Sequence, residues 1–376
     1  MRDSSNQTRS DASATTVLTG ADGFLGWHTR AALHAAGSDA LRVRVGSNFD
    51  AHTTAEALEG SARLIHIAGV NRGSESEVAD GNILFADQIS QALRQLNSPP
   101  PAIVFANSTQ AGNGTVYGES KARAADILHS TAADLGLEFT DVRLPNLFGE
   151  HGKPFYNAVT STFCQLLVDG EMPQVLDDKE LTLLHAQNAA DLLTGSAGLD
   201  LASNLGKRIL VSELLERLKD IADIYSNGEI PDVSDPFVRD LFNTYRSYIP
   251  NGARAFTHVL NSDSRGTFVE TMRSHGGQSQ SSFSTTAPDV TRGQHFHRRK
   301  IERFTVIEGE AVIAMRKLFS NEVIEFKVSG DQPTSIDMPT LWPHKIVNIG
   351  SNTLLTSFWI NELFDPTQPD TVRENV

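Results

Sequence analysis

From Thr16 to about Pro250, short β-prone runs alternate with helical stretches; beyond Pro250 the helical stretches vanish and short strands separated by Gly, Ser, Asn and Pro take over. This change of pattern constrains the fold more than any other feature. Strands alternating with helices require a parallel sheet covered on both faces, while closely spaced short strands require an antiparallel barrel or sandwich. In the first part strands are expected at 16–19, 41–45, 63–67, 102–105 and 139–144, and helices at 27–36, 83–96 and 117–135. In the second part strands are expected at 267–270, 304–307, 311–314 and 354–358. The reading is an α/β, doubly wound parallel-sheet domain over 16–250 followed by an all-β domain over 251–376, with the boundary near 248–252. Residues 1–15 are rich in Ser, Thr, Asp and Asn, lack the apolar core of a signal peptide, and read as a disordered tail.

Composition narrows the class of function. A formal charge of −14 argues against a general nucleic-acid or anionic-membrane surface, and leaves room for a local basic pocket. The single cysteine, Cys164, excludes an intrachain disulfide and a thiolate zinc cluster. That suits a reducing cytoplasm, and no apolar stretch is long enough to span a bilayer.

Gly20, Gly23 and Gly26 form a GxxGxxG turn between the first strand and the first helix. Such a turn lets the backbone approach a pyrophosphate and presents helix N-terminal N–H donors, with Phe24 and Leu25 at the head of that helix. At the end of the second strand a carboxylate would select NAD by binding the ribose hydroxyls. The chain instead reads Arg44-Val45-Gly46-Ser47, and Arg44 with Ser47 could hold a 2′-phosphate, which favours NADP; Arg44 is equally readable as a solvated strand residue.

Tyr117 and Lys121 are four apart on an expected helix, hence on one face. An ammonium beside the phenol would lower the tyrosine pKa and make it a usable proton donor and acceptor. Ser108, after the strand at 102–105, can hydrogen-bond a substrate carbonyl. These residues resemble the extended short-chain dehydrogenase/reductase family, a Rossmann-type fold, over about 16–250. Ala68 and Gly69 in His66-Ile67-Ala68-Gly69 resemble its cofactor-lining stretch, Asn82 its asparagine near the nicotinamide, and Arg143-Leu144-Pro145-Asn146-Leu147-Phe148-Gly149 its nucleotide-sugar segment. The resemblance implies cofactor contacts from these residues and Pro145, with Tyr117 and Lys121 near the nicotinamide. It implies substrate contacts from Arg72, Ser108, Gln110 and Asn146. Two departures stand out: only eight residues separate Ser108 from Tyr117, and Ala186-Gln187-Asn188 replaces a Val-Asp-Asp-like segment.

In the last third, His295 and His297 alternate on a strand and leave the same face, and Glu302 and His344 would join them from neighbouring strands. Three imidazoles and a carboxylate suit a divalent metal, Zn, Fe, Mn or Ni; zinc is the expected occupant. The run from Gly293 through His295, His297 and Glu302 to Gly309 resembles the first cupin motif. Pro339-x-Leu341-x-x-His344-x3-Asn348 resembles the second, with Leu341 where a glycine is usual. Residues 263–270 resemble the opening of sugar-nucleotide 3,5-epimerases, which are cupins with a jelly-roll barrel. A metal on a 4-keto oxygen would acidify the neighbouring C–H, with His275 or Lys300 as proton carrier; the Arg298-Arg299-Lys300 run reads first as solvated.

The order reductase then cupin resembles the CapF-type bifunctional enzymes of bacterial capsule and O-antigen synthesis over nearly the whole chain. Ala68-Gly69-Val70-Asn71-Arg72, the short serine–tyrosine spacing, Thr244-Tyr245-Arg246-Ser247-Tyr248 and Asn361-Glu362-Leu363-Phe364-Asp365-Pro366 carry this resemblance. It implies a UDP-N-acetyl 4-keto-6-deoxyhexose substrate, epimerised at C3 by the cupin and reduced at C4 with NADPH, in a homodimer. The product would be UDP-N-acetyl-6-deoxy-L-talosamine, on the route to N-acetyl-L-fucosamine. The alternatives are a reductase of another keto-sugar with a structural cupin, and a non-catalytic sensor of NADP and a sugar.

Overall fold

The structure, a computed structural model, describes residues 15–250 and 253–376, so the expected tail lies, except for Thr15, outside the described residues, as do Asn251 and Gly252 of the expected boundary. The chain forms two compact units, Met1–Leu147 with Ala186–Gly206, and Phe148–His185 with Lys207–Val376.

The first unit holds β1 (Thr16–Thr19), α1 (Phe24–Ala35), β2 (Ala40–Val43), α2 (Ala51–Leu58), β3 (Arg63–His66), α3 (Glu75–Leu93), β4 (Ala102–Ser108), α4 (Val116–Leu135) and β5 (Glu138–Leu144). The five strands form one parallel sheet in the order β2-β1-β3-β4-β5. All four residues of β1 are buried, as a central parallel strand requires, and the core gathers Val17, Leu64, Ile89, Ile103, Phe105 and Leu128. The order reverses between β1 and β3, and ligands of open α/β sheets bind beyond the carboxyl ends of the strands at such a reversal. The Rossmann-type reading therefore holds. α3 begins at Glu75, earlier than expected, because Ser74 and Glu77 make a capping box over a polar first turn.

The second strand-rich stretch lies in the other unit. After β6 (Asn146–Phe148) come α5 (Val159–Val168), β7 (Glu180–His185), α6 (Ala186–Thr194), α7 (Ala202–Leu205), β8 (Lys207–Leu210), α8 (Val211–Ser226) and α9 (Pro236–Arg246). Of these, α6 and α7 belong to the first unit. Thereafter only strands follow: β9 (Ala255–Thr257), β10 (Asn261–Asp263), β11 (Gly266–Phe268), β12 (Gln280–Thr286), β13 (Thr291–Phe296), β14 (Glu302–Glu308), β15 (Glu310–Arg316), β16 (Val323–Ser329), β17 (Thr334–Met338), β18 (His344–Asn348), β19 (Leu354–Ile360) and β20 (Val372–Arg373). Two antiparallel five-stranded sheets result, β12-β19-β14-β17-β9 and β16-β15-β18-β13-β20, with Phe304, Val306, Ile313, Ile336 and Ile346 in the core. This is the all-β, cupin-like domain the sequence pattern called for.

Packing does not follow the change of pattern at Pro250. The buried Arg303 guanidinium on β14 pairs with Asp337 on β17 (2.6 and 2.9 Å) and donates to the Gly228 carbonyl (2.6 Å), while the Tyr225 hydroxyl of α8 donates to Asp337 (2.8 Å). Arg246 at the end of α9 donates to the Met338 carbonyl (3.2 Å), and the Asn243 amide to that of Arg299 (3.2 Å). Buried charges are tolerated only when paired and fully hydrogen-bonded, so α8 and α9 complete the polar accounting of the β-sheets that follow them in sequence within the same unit.

Candidate functional sites

Beyond β1 the chain turns through Gly20 with φ +67°, and a Cβ there would lie 2.7 Å from the Ala68 nitrogen. A Cβ on Gly26 would lie 2.0 Å from the Gly20 carbonyl oxygen, so the turn and α1 meet at a distance that only glycine permits. Gly23 caps α1 without a side-chain acceptor, with Phe24 and Leu25 as its first residues. A cleft of about 470 Å³ opens here, lined among others by Gly20, Gly23, Arg42, Arg44, Ala68 and Gly69. Arg42 is a residue the sequence reading missed; it pairs with Asp22 at 3.2 Å. Ser47 lies in the exposed turn after β2, outside the cleft lining, which includes Asn48 and Phe85 instead.

Thr19 organises the far wall. Its Oγ1 accepts from the backbone N–H of Ile67 (3.0 Å) and Ala68 (3.2 Å) and pairs with His66 Nδ1 (2.8 Å). Burial, with the Lys121 charge nearby, pushes His66 down to about 3, so it is a neutral structural imidazole. Buried Asn82 accepts from Val70 N–H (3.1 Å) and donates to the Val70 carbonyl (2.8 Å) and Ser120 Oγ (3.1 Å), tying α3 to the segment after β3 and to α4.

Ser108 ends β4, and Tyr117 and Lys121 lie in the first turns of α4. The eight-residue connection closes because Gly112 and Gly114 adopt positive φ, Thr115 caps α4 by accepting from Gly118 N–H (3.0 Å), and the loop packs onto Gly118. A Cβ at 118 would lie 2.3 Å from the Gln110 carbonyl oxygen. Ser108 Oγ accepts from Gln110 N–H (3.1 Å) and hydrogen-bonds the Tyr117 side chain. Gln110 and Arg72 are exposed, Pro145 follows β5, and exposed Asn146 opens β6.

The expected lowering of the tyrosine pKa by the lysine is not found. Burial raises the Tyr117 pKa, with only the Ser108 hydrogen bond pulling it back. Lys121 is itself buried, donates to the Ala106 carbonyl (2.7 Å) and stands 4.1 Å above the Phe105 ring. Burial lowers its pKa to about 7, opposed by Asp141.

In the β-rich unit, His295, His297, Glu302 and His344 bring their ligand atoms within 4.8 Å of one another. Glu302 Oε2 lies 3.0 Å from His297 Nε2, 3.1 Å from His344 Nε2 and 3.9 Å from His295 Nε2. Two corrections apply. Glu302 does not come from a strand beside the histidines: His295 and His344 sit on paired strands of one sheet, and Glu302 on β14 of the other. His297 lies one residue beyond β13, and a bulge with Gln294 at φ +61° re-aims the strand just before the ligands.

The set fits a divalent cation. His344 Nδ1–H donates to the Trp342 carbonyl (3.0 Å) and His297 Nδ1–H to that of Asp370, so both turn Nε2 toward Glu302. Burial pushes the Glu302 carboxyl up, but His297 and hydrogen bonds from the histidines outweigh it and hold it well below the usual range. Leu341 takes a left-handed conformation that favours glycine, at φ +63° and fully buried, and its N–H donates to the His297 carbonyl (2.7 Å). Beside it, Thr340 Oγ1 donates to buried Glu150 (2.8 Å).

Asp370 is a support the sequence reading missed. Its carboxylate accepts N–H bonds from Arg298 (3.0 Å), Arg299 (2.9 Å) and Lys300 (3.0 Å). No pattern in the sequence ties it to residues some seventy positions earlier. Nor is Lys300 solvated: it is buried, donates to the Pro369 carbonyl and lies 3.8 Å from Glu362. His275 is paired with Glu229 at 2.6 Å. Among the described residues no helix is long and apolar enough to cross a membrane.

Two family models match, the NAD dependent epimerase/dehydratase family over residues 16–194 and the polysaccharide biosynthesis C-terminal domain over 261–372. The chain is 30% identical over 363 residues to UDP-2-acetamido-2,6-beta-L-arabino-hexul-4-ose reductase of Pseudomonas aeruginosa, covering 94% of this chain and 97% of that one. It is similar to crystal structures of the capsular polysaccharide assembling protein CapF from Staphylococcus aureus (TM-score 0.60, 31% identity, 96% of this chain and 100% of that one) and of CapF with the inhibitor 3-isopropenyl-tropolone (TM-score 0.55, 29% identity, 96% and 100%).

Proposed function

The chain belongs to the family of these reductases and CapF, a nicotinamide-dependent reductase domain joined to a polysaccharide-biosynthesis cupin, and from that premise we propose a two-step enzyme acting on a UDP-N-acetyl 4-keto-6-deoxyhexose. The cupin epimerises C3 and the reductase domain reduces the C4 ketone with NADPH, giving UDP-N-acetyl-6-deoxy-L-talosamine. The enzyme works in the cytoplasm as a homodimer. One observation carries the reading: a Ser108–Tyr117–Lys121 group beside a dinucleotide cleft and a three-histidine, one-glutamate cluster occur in one chain.

When bound, the nicotinamide supplies the hydride and the divalent metal, zinc in this reading, supplies a Lewis acid. The chain does the rest. Gly20, Gly23 and Gly26 give the pyrophosphate access to the head of α1, and Arg42 with Arg44 supports a 2′-phosphate where no carboxylate ends β2. Ser108 and Tyr117 hold the C4 oxygen, and Tyr117, kept protonated by burial, gives its proton as the oxygen gains charge. Lys121 holds the nicotinamide ribose. His295, His297, Glu302 and His344 hold the metal, and Lys300 anchors the segment that orients His297.

The test is proton NMR in D2O with the 4-keto substrate, first without and then with NADPH. Deuterium at C3 before NADPH, then NADPH-dependent loss of the ketone, is the expected result. Reduction without prior exchange would make the cupin a scaffold and overturn the two-step reading.

A further inference from the structure

The metal cluster has one open side. His344 is fully buried and the His297 side chain is 4% exposed, while that of His295 is 21% exposed. His295 lines a cavity of about 520 Å³ together with Gly293, Gln294, Thr371, Arg373, Glu374 and Asn375. That size suits a sugar-sized ligand with part of its phosphate.

Strand register says what faces the ligand. His295 on β13 stands directly opposite His344 on β18 on one side and directly opposite Arg373 on β20 on the other. Directly opposed residues of antiparallel strands project from the same face. Arg373, His295 and His344 thus form one row across the sheet, ending in the cavity. Glu374 is engaged by Arg316, and Asp370 by the backbone of residues 298–300. Among the described residues, no carboxylate is within ion-pair distance of Arg373. β20 is itself held firmly: Glu374 N–H donates to the Gln294 carbonyl (3.0 Å) and Val376 N–H to Gln294 Oε1 (2.9 Å).

We propose that Arg373 is the anion anchor of the cupin site, binding the diphosphate of the nucleotide sugar so that the sugar lies against the metal cluster. A guanidinium offers the planar, bidentate donor pair that phosphate oxygens match. The proposal rests on the nucleotide-sugar reading above and adds the residue that would select a phosphorylated sugar over a free one.

Two measurements on the full-length, Co(II)-loaded protein separate this from the reading beneath it. In the first, 31P NMR of UDP records broadening by the cobalt, which reaches only phosphate held close to the metal. The wild type should broaden both phosphorus signals; Arg373→Ala should abolish most of the effect with metal content unchanged, and Arg373→Lys should keep part of it. No broadening in the wild type, or equal broadening in Arg373→Ala, overturns the proposal. In the second, C3 deuterium exchange gives KM and kcat. Arg373→Ala should raise KM roughly ten- to a hundredfold, the effect of losing a charge-assisted hydrogen bond, and change kcat less. Arginine-dependent broadening without any wild-type exchange keeps the anion site and removes the epimerase reading. Exchange with an unaltered KM in Arg373→Ala keeps the epimerase and removes the anchor.

Discussion

Burying the Lys121 ammonium destabilises the folded state, because burial lowers its pKa to about 7 from an ordinary 10.5. The folded value lies below the unfolded one, so the penalty is complete below pH 7, shrinks as pH rises between the two values, and is gone above the higher one. Lys121→Met should therefore stabilise the protein by roughly 2–4 kcal/mol at pH 6, less whatever the Ala106 hydrogen bond contributed, and by clearly less at pH 9. Thermal melts at both pH values check this, and reduction should be lost in the variant at either one. Tyr117→Phe removes only the proton donor, so NADPH binding should persist while turnover falls by roughly 10²- to 10⁴-fold; ordinary turnover would refute the role. His344→Ala should cost metal content, read by elemental analysis, and C3 exchange with it. The identity and spacing of these side chains are local and were read directly. The sequence carries no sign of the burial that raises the Tyr117 pKa, nor of the packing of Lys121 on the Phe105 ring and the Ala106 carbonyl, because both depend on the folded sheet.

At the scale of single elements, two glycine questions have opposite answers. Gly118 is needed because the short loop after β4 packs on it, and Gly118→Ala should cost about 1–3 kcal/mol by overpacking and lower the reductase kcat as Ser108 and Tyr117 separate. Leu341 occupies a left-handed position that glycine would fill without strain, yet it is fully buried. Leu341→Gly relieves about 1–2 kcal/mol of backbone strain and loses about 2–5 kcal/mol of core packing, so a net loss in chemical denaturation is expected. The positions of β1, β3, β4, α4 and β5 were legible from periodicity and from flanking Gly and Pro. The early start of α3 was missed, although Ser74 and Glu77 form a capping box before a polar turn. The bulge at Gln294 was not legible, since a register shift belongs to a strand pair and no single strand encodes it.

For the whole molecule, the pattern break at Pro250 and the packing break differ. Helix α8, the turn after it and helix α9 supply Tyr225, the Gly228 carbonyl and Arg246 to a buried polar group on β14 and β17. A fragment beginning at residue 251 keeps the Arg303–Asp337 pair but loses the Tyr225 and Gly228 hydrogen bonds to it, each worth roughly 1.5–3 kcal/mol when made to a charged group. It should be less soluble and melt lower than a fragment beginning at residue 207, which soluble yield and calorimetry would compare. By itself the sequence determined the two fold classes, the glycine turn and the donor chemistry of both sites, because strand and helix periods and side-chain types are local properties. Only the tertiary structure decided that Glu302 faces its histidines from the opposite sheet, that Asp370 holds the ligand loop, and that Arg373 stands in the ligand row. Each depends on which strands pair and in what register, and that is settled by long-range burial of the core.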